Sequence, residues 1–193
     1  AGLNLANWIG SDVPDEAKVK AGFKVGVGME YRFNDLISLQ PSLMFATKGS
    51  INKRSDLPLP LGGEIGIKVT TNQMYVELPV MVAFRFNIVG STNIVLSVGP
   101  YIGYGVGGKV SGKITSGKDQ VANVDEFLDE LGVNVNTFGK DRLNAFDAGV
   151  GVGVAVEFGR FFAGLDTEMG LTKLLSDSKA NNISVGVGVG FRF

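Results

Sequence analysis

The chain has 193 residues with 18 basic and 19 acidic side chains, a formal net charge of -1, 28 glycines, no cysteine and no histidine. Those counts exclude disulfides and thiolate metal sites. They also remove the commonest general base and metal ligand and leave no electrostatic footprint for nucleic acid. The length suits one domain over 1–193 with a substantial core, and no run reaches the roughly 18 apolar residues that would suggest a transmembrane helix.

In chain order, the opening "AGLNLANW" reads as a weak strand with Leu3 and Leu5 on one face, and it holds no basic or apolar region of an export signal. "KAGFKVGVGMEYRF" follows, with Phe23, Val25, Val27, Met29, Tyr31 and Phe33 against Lys24, Gly26, Gly28, Glu30 and Arg32. Such alternation sends one set of side chains to each face of a strand. It recurs in "LISLQPSLMFATKG", "MYVELPVMVAFRF", "IVLSVGPYIGYGVGGK", "FDAGVGVGVAVEF", "FFAGLDTEMGLT" and "NISVGVGVGFRF". With the opening segment, this predicts eight strands.

Asn34-Asp35 and Gly159-Arg160 are predicted as two-residue turns, and residues 87 to 93 as a seven-residue link. The remaining links, 9–19, 50–73, 110–144 and 173–181, are long and fall at the other end of an up-and-down meander. That order puts both termini at the short-turn end. Within the longest link, "NVDEFLDELG" has Asn123 as an N-cap, Glu126 three residues on and Gly132 as a stop, which predicts a helix over 123–131. The helix is expected to lie on the barrel rim or to plug the barrel.

Three features decide which face is inside. An eight-strand barrel is just wide enough to be filled by side chains, so the bulky apolar set would overfill it while the glycine-rich set suits it. Aromatics form two girdles on the apolar face. Tyr31, Phe33, Phe84, Phe86, Phe158, Phe161, Phe191 and Phe193 lie by the short turns, and Phe23, Phe45, Tyr104 and Phe146 toward the long links. Ten residues from Phe23 to Phe33 rise about 25 Å in a tilted strand, the height of an apolar band. Finally, Lys20, Lys24, Glu30, Arg32, Lys48, Glu77, Arg85, Lys109, Asp147, Glu157, Asp166, Glu168 and Arg192 all fall on the other face. A basic residue facing lipid at the midplane costs about 2–4 kcal/mol, whereas six acids and seven bases can pair inside.

The same residues limit the chemistry. Asp166 and Glu168, two apart on one strand face, are the one acid–base candidate and are read as partners of interior lysines and arginines. "SGKDQVANVDE" lacks EF-hand spacing. The glycine runs sit inside strands, where they cannot cradle phosphate before a helix. No catalytic residue, cofactor or metal site is expected.

Several segments together resemble a known family. "YVELPVMVAFRF" is similar to the "YLEIPLLLKY" strand of the PorT-like outer-membrane β-barrels of Bacteroidota. "VGPYIGYGVGG" is similar to their "aGPYvgyl", "FDAGVGVGVAVEF" to "fDfGlglGaGvef", "AGLNLANW" to "aGlnlSn" and "ISLQPSLMF" to "fsLqpELly". The resemblance runs along the whole chain in order, with Ser42 where the family usually carries Glu. It implies an eight-strand barrel in a bacterial outer membrane and little about biochemistry.

The expected fold is thus all-β: an eight-stranded antiparallel up-and-down transmembrane β-barrel with long extracellular loops and periplasmic termini. The expected role is non-enzymatic, structural, accessory or binding, with a narrow passive pore as the alternative. Lys24, Glu30, Arg32, Glu77, Arg85, Asp147, Glu157, Asp166, Glu168 and Arg192 are expected to form a charge network that closes the lumen. Phe191 and Phe193 are expected to act as a signal to the outer-membrane assembly machinery. Partners expected are the lipid bilayer, that machinery during biogenesis and an outer-membrane protein met through the long loops, including the apolar stretch 56–67, with no nucleic acid.

Overall fold

The period-two alternation closes into a ring. The computed structural model describes all residues except 12, 14–16, 59–63, 117–118, 124–135, 140–141 and 176–177. Among the described residues the strands are β1 (Gly2–Ile9), β2 (Ala17–Gly28), β3 (Tyr31–Arg32), β4 (Ile37–Pro58), β5 (Glu64–Val89), β6 (Thr92–Gly107), β7 (Val110–Ser116), β8 (Asp119–Asn123), β9 (Phe146–Phe158), β10 (Phe161–Gly170) and β11 (Asn181–Phe191). Each wall strand pairs antiparallel with its chain neighbour, and β11 pairs back with β1 through Leu3↔Val187 and Leu5↔Val185. The wall has eight staves: β1, β2 with its continuation β3, β4, β5, β6, β9, β10 and β11. The chain is therefore an eight-stranded antiparallel up-and-down barrel.

Burial is inverted relative to a water-soluble protein. Val27 is 73% exposed and Leu165 54%, while Lys48 is 1% exposed and Glu77 2%. Water-soluble folds almost never bury such charges while leaving a continuous apolar belt outside. Lipid is the solvent that suits this surface. Phe45, Val76, Tyr104 and Phe146 are successive register partners across β4, β5, β6 and β9, a lateral row toward the long-link end. At the short-turn end Phe161 pairs with both Phe158 and Phe191. The ring of Phe191 meets those of Phe161 and Phe193 edge-on at 5.1 and 5.4 Å between centroids.

The links depart from the expected lengths for local reasons. Between β5 and β6 the turn is Gly90-Ser91, not seven residues: Val89 pairs with Thr92, Gly90 takes φ +56°, and the Asn87 side-chain amide donates to the Gly90 carbonyl. Between β3 and β4 the turn is wider than Asn34-Asp35. The Asn34 Oδ1 accepts from the backbone N–H of both Leu36 and Ile37, at 2.9 and 2.7 Å, which opens it over residues 33–36. Gly159-Arg160 is the tight turn expected, with Phe158 opposite Phe161. The second stave lapses at Met29-Glu30 because its partner there is Pro41. The Met29 N–H donates to the Pro41 carbonyl, but proline has no N–H to return the bond, and the register resumes unshifted at Tyr31↔Leu39.

The long-link end is more ordered than a set of loops. The link placed at 50–73 is mostly strand, since β4 and β5 stay paired from Ser50↔Thr71 outward to Pro58↔Glu64. β7 adds to the outer part of β5 and β8 adds to β7. A four-stranded sheet, β4-β5-β7-β8, thus runs past the rim. The apolar stretch 56–67 is the end of this hairpin, with its centre outside the described residues. The predicted helix 123–131 also lies outside them, apart from Asn123, which ends β8. Both termini lie toward the short-turn end, where the Ala1 ammonium donates to the Val189 carbonyl at 2.9 Å.

Candidate functional site

The inward parity of six staves gathers the charged side chains into two layers. In the layer nearer the long links, Lys48 of β4 is the hub. Its Nζ lies 2.6 Å from Glu77 of β5, 3.1 Å from Glu168 of β10 and 3.9 Å from Asp147 of β9. Its ammonium also stands 4.5 Å from the centre of the Tyr101 ring and 5.7 Å from that of Tyr75, within cation–π range. Asp147 is held further by Tyr101 Oη at 3.1 Å, Thr172 Oγ1 at 2.7 Å and Asn182 Nδ2 at 3.1 Å. Beside this hub Lys24 of β2 contacts Asp166 of β10. Gly186 makes that contact possible, because a Cβ there would come within 2.6 Å of Lys24 Cε and 2.8 Å of Asp166 Oδ1.

In the layer nearer the short turns, Arg85 of β5 reaches Glu157 of β9 through Nε at 2.8 Å and Nη2 at 3.0 Å. This two-pronged geometry suits guanidinium and carboxylate. Its Nη2 also lies 2.6 Å from Glu30. Arg192, one residue past β11, contacts Glu157 and lies 3.6 Å from Glu30; Arg32 of β3 is 3.1 Å from Glu30. Ser38 and Gln40 each donate to Glu30 at 3.0 Å. Arg32, Asp35, Leu36, Arg85, Asn87 and Asn93 line a recess of about 450 Å³ at this mouth.

All ten residues named for the network from the sequence sit in one of these two layers. Lys48, which that set omitted although its parity was inward, makes three ion pairs, as many as Glu30. Lys109 was read onto the inward face but joins neither layer: Gly108, at φ +143°, ends the alternation and Lys109 is exposed. Asp166 and Glu168 are drawn to different lysines, Lys24 and Lys48, rather than to a common substrate space.

The long-link mouth is covered by a segment the sequence did not single out. Thr137 is buried, its N–H donates to the Gly108 carbonyl at 3.1 Å and its Oγ1 donates to the Asn72 carbonyl at 2.6 Å. The next residue, Phe138, stacks edge-on against Tyr75 at 5.3 Å. Its ring occupies the space a side chain on Gly105 would need. A cap from the link between β8 and β9 therefore closes onto the Lys48 layer.

A closed barrel with an apolar exterior and an ion-paired interior is a transmembrane β-barrel. The chain belongs to the outer membrane protein beta-barrel domain family, whose model matches residues 2–176. Its place is accordingly the lipid bilayer of a bacterial outer membrane. Among solved structures it is similar to Ail, the attachment invasion locus protein of Yersinia pestis, at 14% identity and a TM-score of 0.44, covering 100% of this chain and 94% of that one. It is also similar to Neisserial surface protein A, at 11% identity and a TM-score of 0.48, with the same coverage of 100% and 94%. No curated protein matches the chain.

Removing one member of a buried ion cluster leaves uncompensated charge and costs about 3–5 kcal/mol. Lys48→Met is expected to lower the unfolding free energy by about that amount, read from urea titration of the barrel in phosphatidylcholine vesicles. Adding Glu77→Gln is expected to restore part of the loss. A Lys48→Met barrel as stable as the parent would contradict the hub assignment.

Proposed function

We propose that this chain is a non-enzymatic outer-membrane barrel with a sealed lumen, serving a structural or binding role through the end that carries the long links. The observation that carries the reading is the double obstruction of the lumen. Two layers of ion pairs cross it, and the Phe138 ring packs onto Tyr75 and Gly105 above them. The carboxylates that acid–base chemistry would need are engaged by Lys24, Lys48, Arg85 and Arg192. In this reading the chain is a single barrel domain of the PorT-like group of Bacteroidota, supported by the segment resemblances above. The termini face the periplasm, since the short turns lie with them, and the projecting sheet faces outside. A partner protein in the membrane would meet the chain at that outer end.

The proposal extends to biogenesis. Phe191 stacks with Phe161 and with Phe193 at the short-turn rim, exposed on the lipid side, where assembly machinery could read them. Replacing both by Ala is expected to reduce outer-membrane yield severalfold while leaving the heat-dependent gel mobility of the inserted fraction unchanged. Equal yield would contradict the role.

Single-channel recording in planar bilayers tests the sealed lumen. The expected result is a silent bilayer with folded protein present. Steady, uniform conductance steps would establish the narrow pore instead.

A further inference from the structure

The mouth at the short-turn end holds more positive charge than its layer neutralises. Three guanidinium groups, on Arg32, Arg85 and Arg192, face two carboxylates, on Glu30 and Glu157. Glu30 is the bridge: Arg32 Nε donates to its Oε2 at 3.1 Å and Arg85 Nη2 to its Oε1 at 2.6 Å. Two like charges are thus drawn to the two oxygens of one carboxylate. Arg32 engages Glu30 through Nε alone, which leaves both of its terminal nitrogens open among the described residues, and its side chain is 49% exposed. The buried arginine beside it is also incompletely satisfied. Arg85 is 7% exposed, and its Nη1 has no hydrogen-bond partner among the described residues. An unmade hydrogen bond on a buried charged group is costly.

Both arginines line the same recess, together with Asp35, Leu36, Asn87 and Asn93. Its walls are tied in place by the turns around it. The Arg85 backbone N–H donates to the Leu36 carbonyl at 2.7 Å, which fixes the turn over 33–36 against β5. Asn87 Nδ2 donates to the Gly90 carbonyl and to Asn93 Oδ1, each at 3.0 Å, which fixes the turn at Gly90-Ser91. Asn93 accepts through its oxygen and so keeps its amide nitrogen as a donor. A site whose walls are already ordered loses little freedom when a ligand enters.

We propose that this recess binds a carboxylate monoanion, received by the open nitrogens of Arg32 with the charge of Arg85 behind them. The planar guanidinium fork matches the two oxygens of a carboxylate. One negative charge is also what the layer lacks. Asp35, exposed on the wall of the recess, repels a second one, which sets a carboxylate apart from a dianion. Two sources carry that group, a free small acid and the C-terminal end of a peptide, and a recess of about 450 Å³ admits either. In the orientation proposed above this mouth opens to the periplasm. The binding itself depends neither on that orientation nor on a sealed lumen.

The test uses the full chain in maltoside micelles with isotope-labelled arginine, at neutral pH and constant ionic strength. The Nε–H resonances of Arg32 and Arg85 are followed by NMR during titration with acetate, N-acetyl-dialanine or sulfate. Both carboxylates are expected to give saturable shifts with dissociation constants on the order of a millimolar, and sulfate none. Arg32→Gln is expected to weaken carboxylate binding about tenfold, the loss of a charge-assisted hydrogen bond, read from the Arg85 resonance. Asp35→Asn, which lies outside the ion-pair layers, is expected to keep acetate binding and to gain sulfate binding. Heat-dependent gel mobility verifies that each variant is folded. Acetate binding equal to that of the dipeptide would assign the recess to free small acids, and a preference for the dipeptide to peptide ends. Absence of saturation by either carboxylate, or unchanged binding by the Arg32→Gln variant, would overturn the inference. Sulfate bound by the parent as tightly as acetate would overturn it too, as would no gain of sulfate binding in the Asp35→Asn variant.

Discussion

A charged side chain inside a narrow barrel surrounded by lipid has no bulk water to solvate it, so it must find an opposite charge within its own layer. Lys48 shows how far that constraint reaches. To place its ammonium among Glu77, Asp147 and Glu168, four staves must hold their register to the residue. Moving any of them by one position would turn the side chain from the lumen to the lipid. The hub thus ties the charge pairing to the alternation of the wall. The same alternation excludes charge from the apolar belt.

Space inside is the second requirement. Long charged side chains and two tyrosines cannot share a lumen of this width unless much of the facing wall is bare. Gly186 leaves room for the Lys24–Asp166 contact, and Gly105 receives the ring of Phe138. The pairing is also uneven along the axis. Lys24 and Lys48 face Glu77, Asp147, Asp166 and Glu168 in one layer, while Arg32, Arg85 and Arg192 face Glu30 and Glu157 in the other. The acidic layer is finished by neutral donors, Tyr101, Thr172 and Asn182, all directed at Asp147.

The wall was legible in the sequence because lipid imposes a single parity on every stave, and glycine alternating with valine states that parity plainly. Legibility ended where lipid ended. Residues 50–58 and 64–73 have no continuous apolar face, since the strands there no longer cross a membrane, and they read as a link. The turn at Gly90-Ser91 was hidden because Ile88 and Val89 continue the strand beyond the last aromatic. Inside the lumen, parity told which charges point inward. It could not tell which meet, because that depends on stagger between strands set by turn lengths and bulges. Hence Lys48, one inward base among several, gave no sequence sign of being the hub. Phe138 was equally silent: its contact with Tyr75 joins residues far apart in the chain, with no motif to mark it.

The inversion of inside and outside is the claim on which the whole account stands, and β11 offers the cleanest scan of it. Single cysteines placed in turn from Ser184 to Phe191, each carrying a small fluorophore, can be followed in vesicles of brominated lipid. The account predicts quenching with a period of two, strong at Val185, Val187, Val189 and Phe191 and weak at the residues between them. Uniform quenching, or strong quenching at the intervening positions, would contradict it.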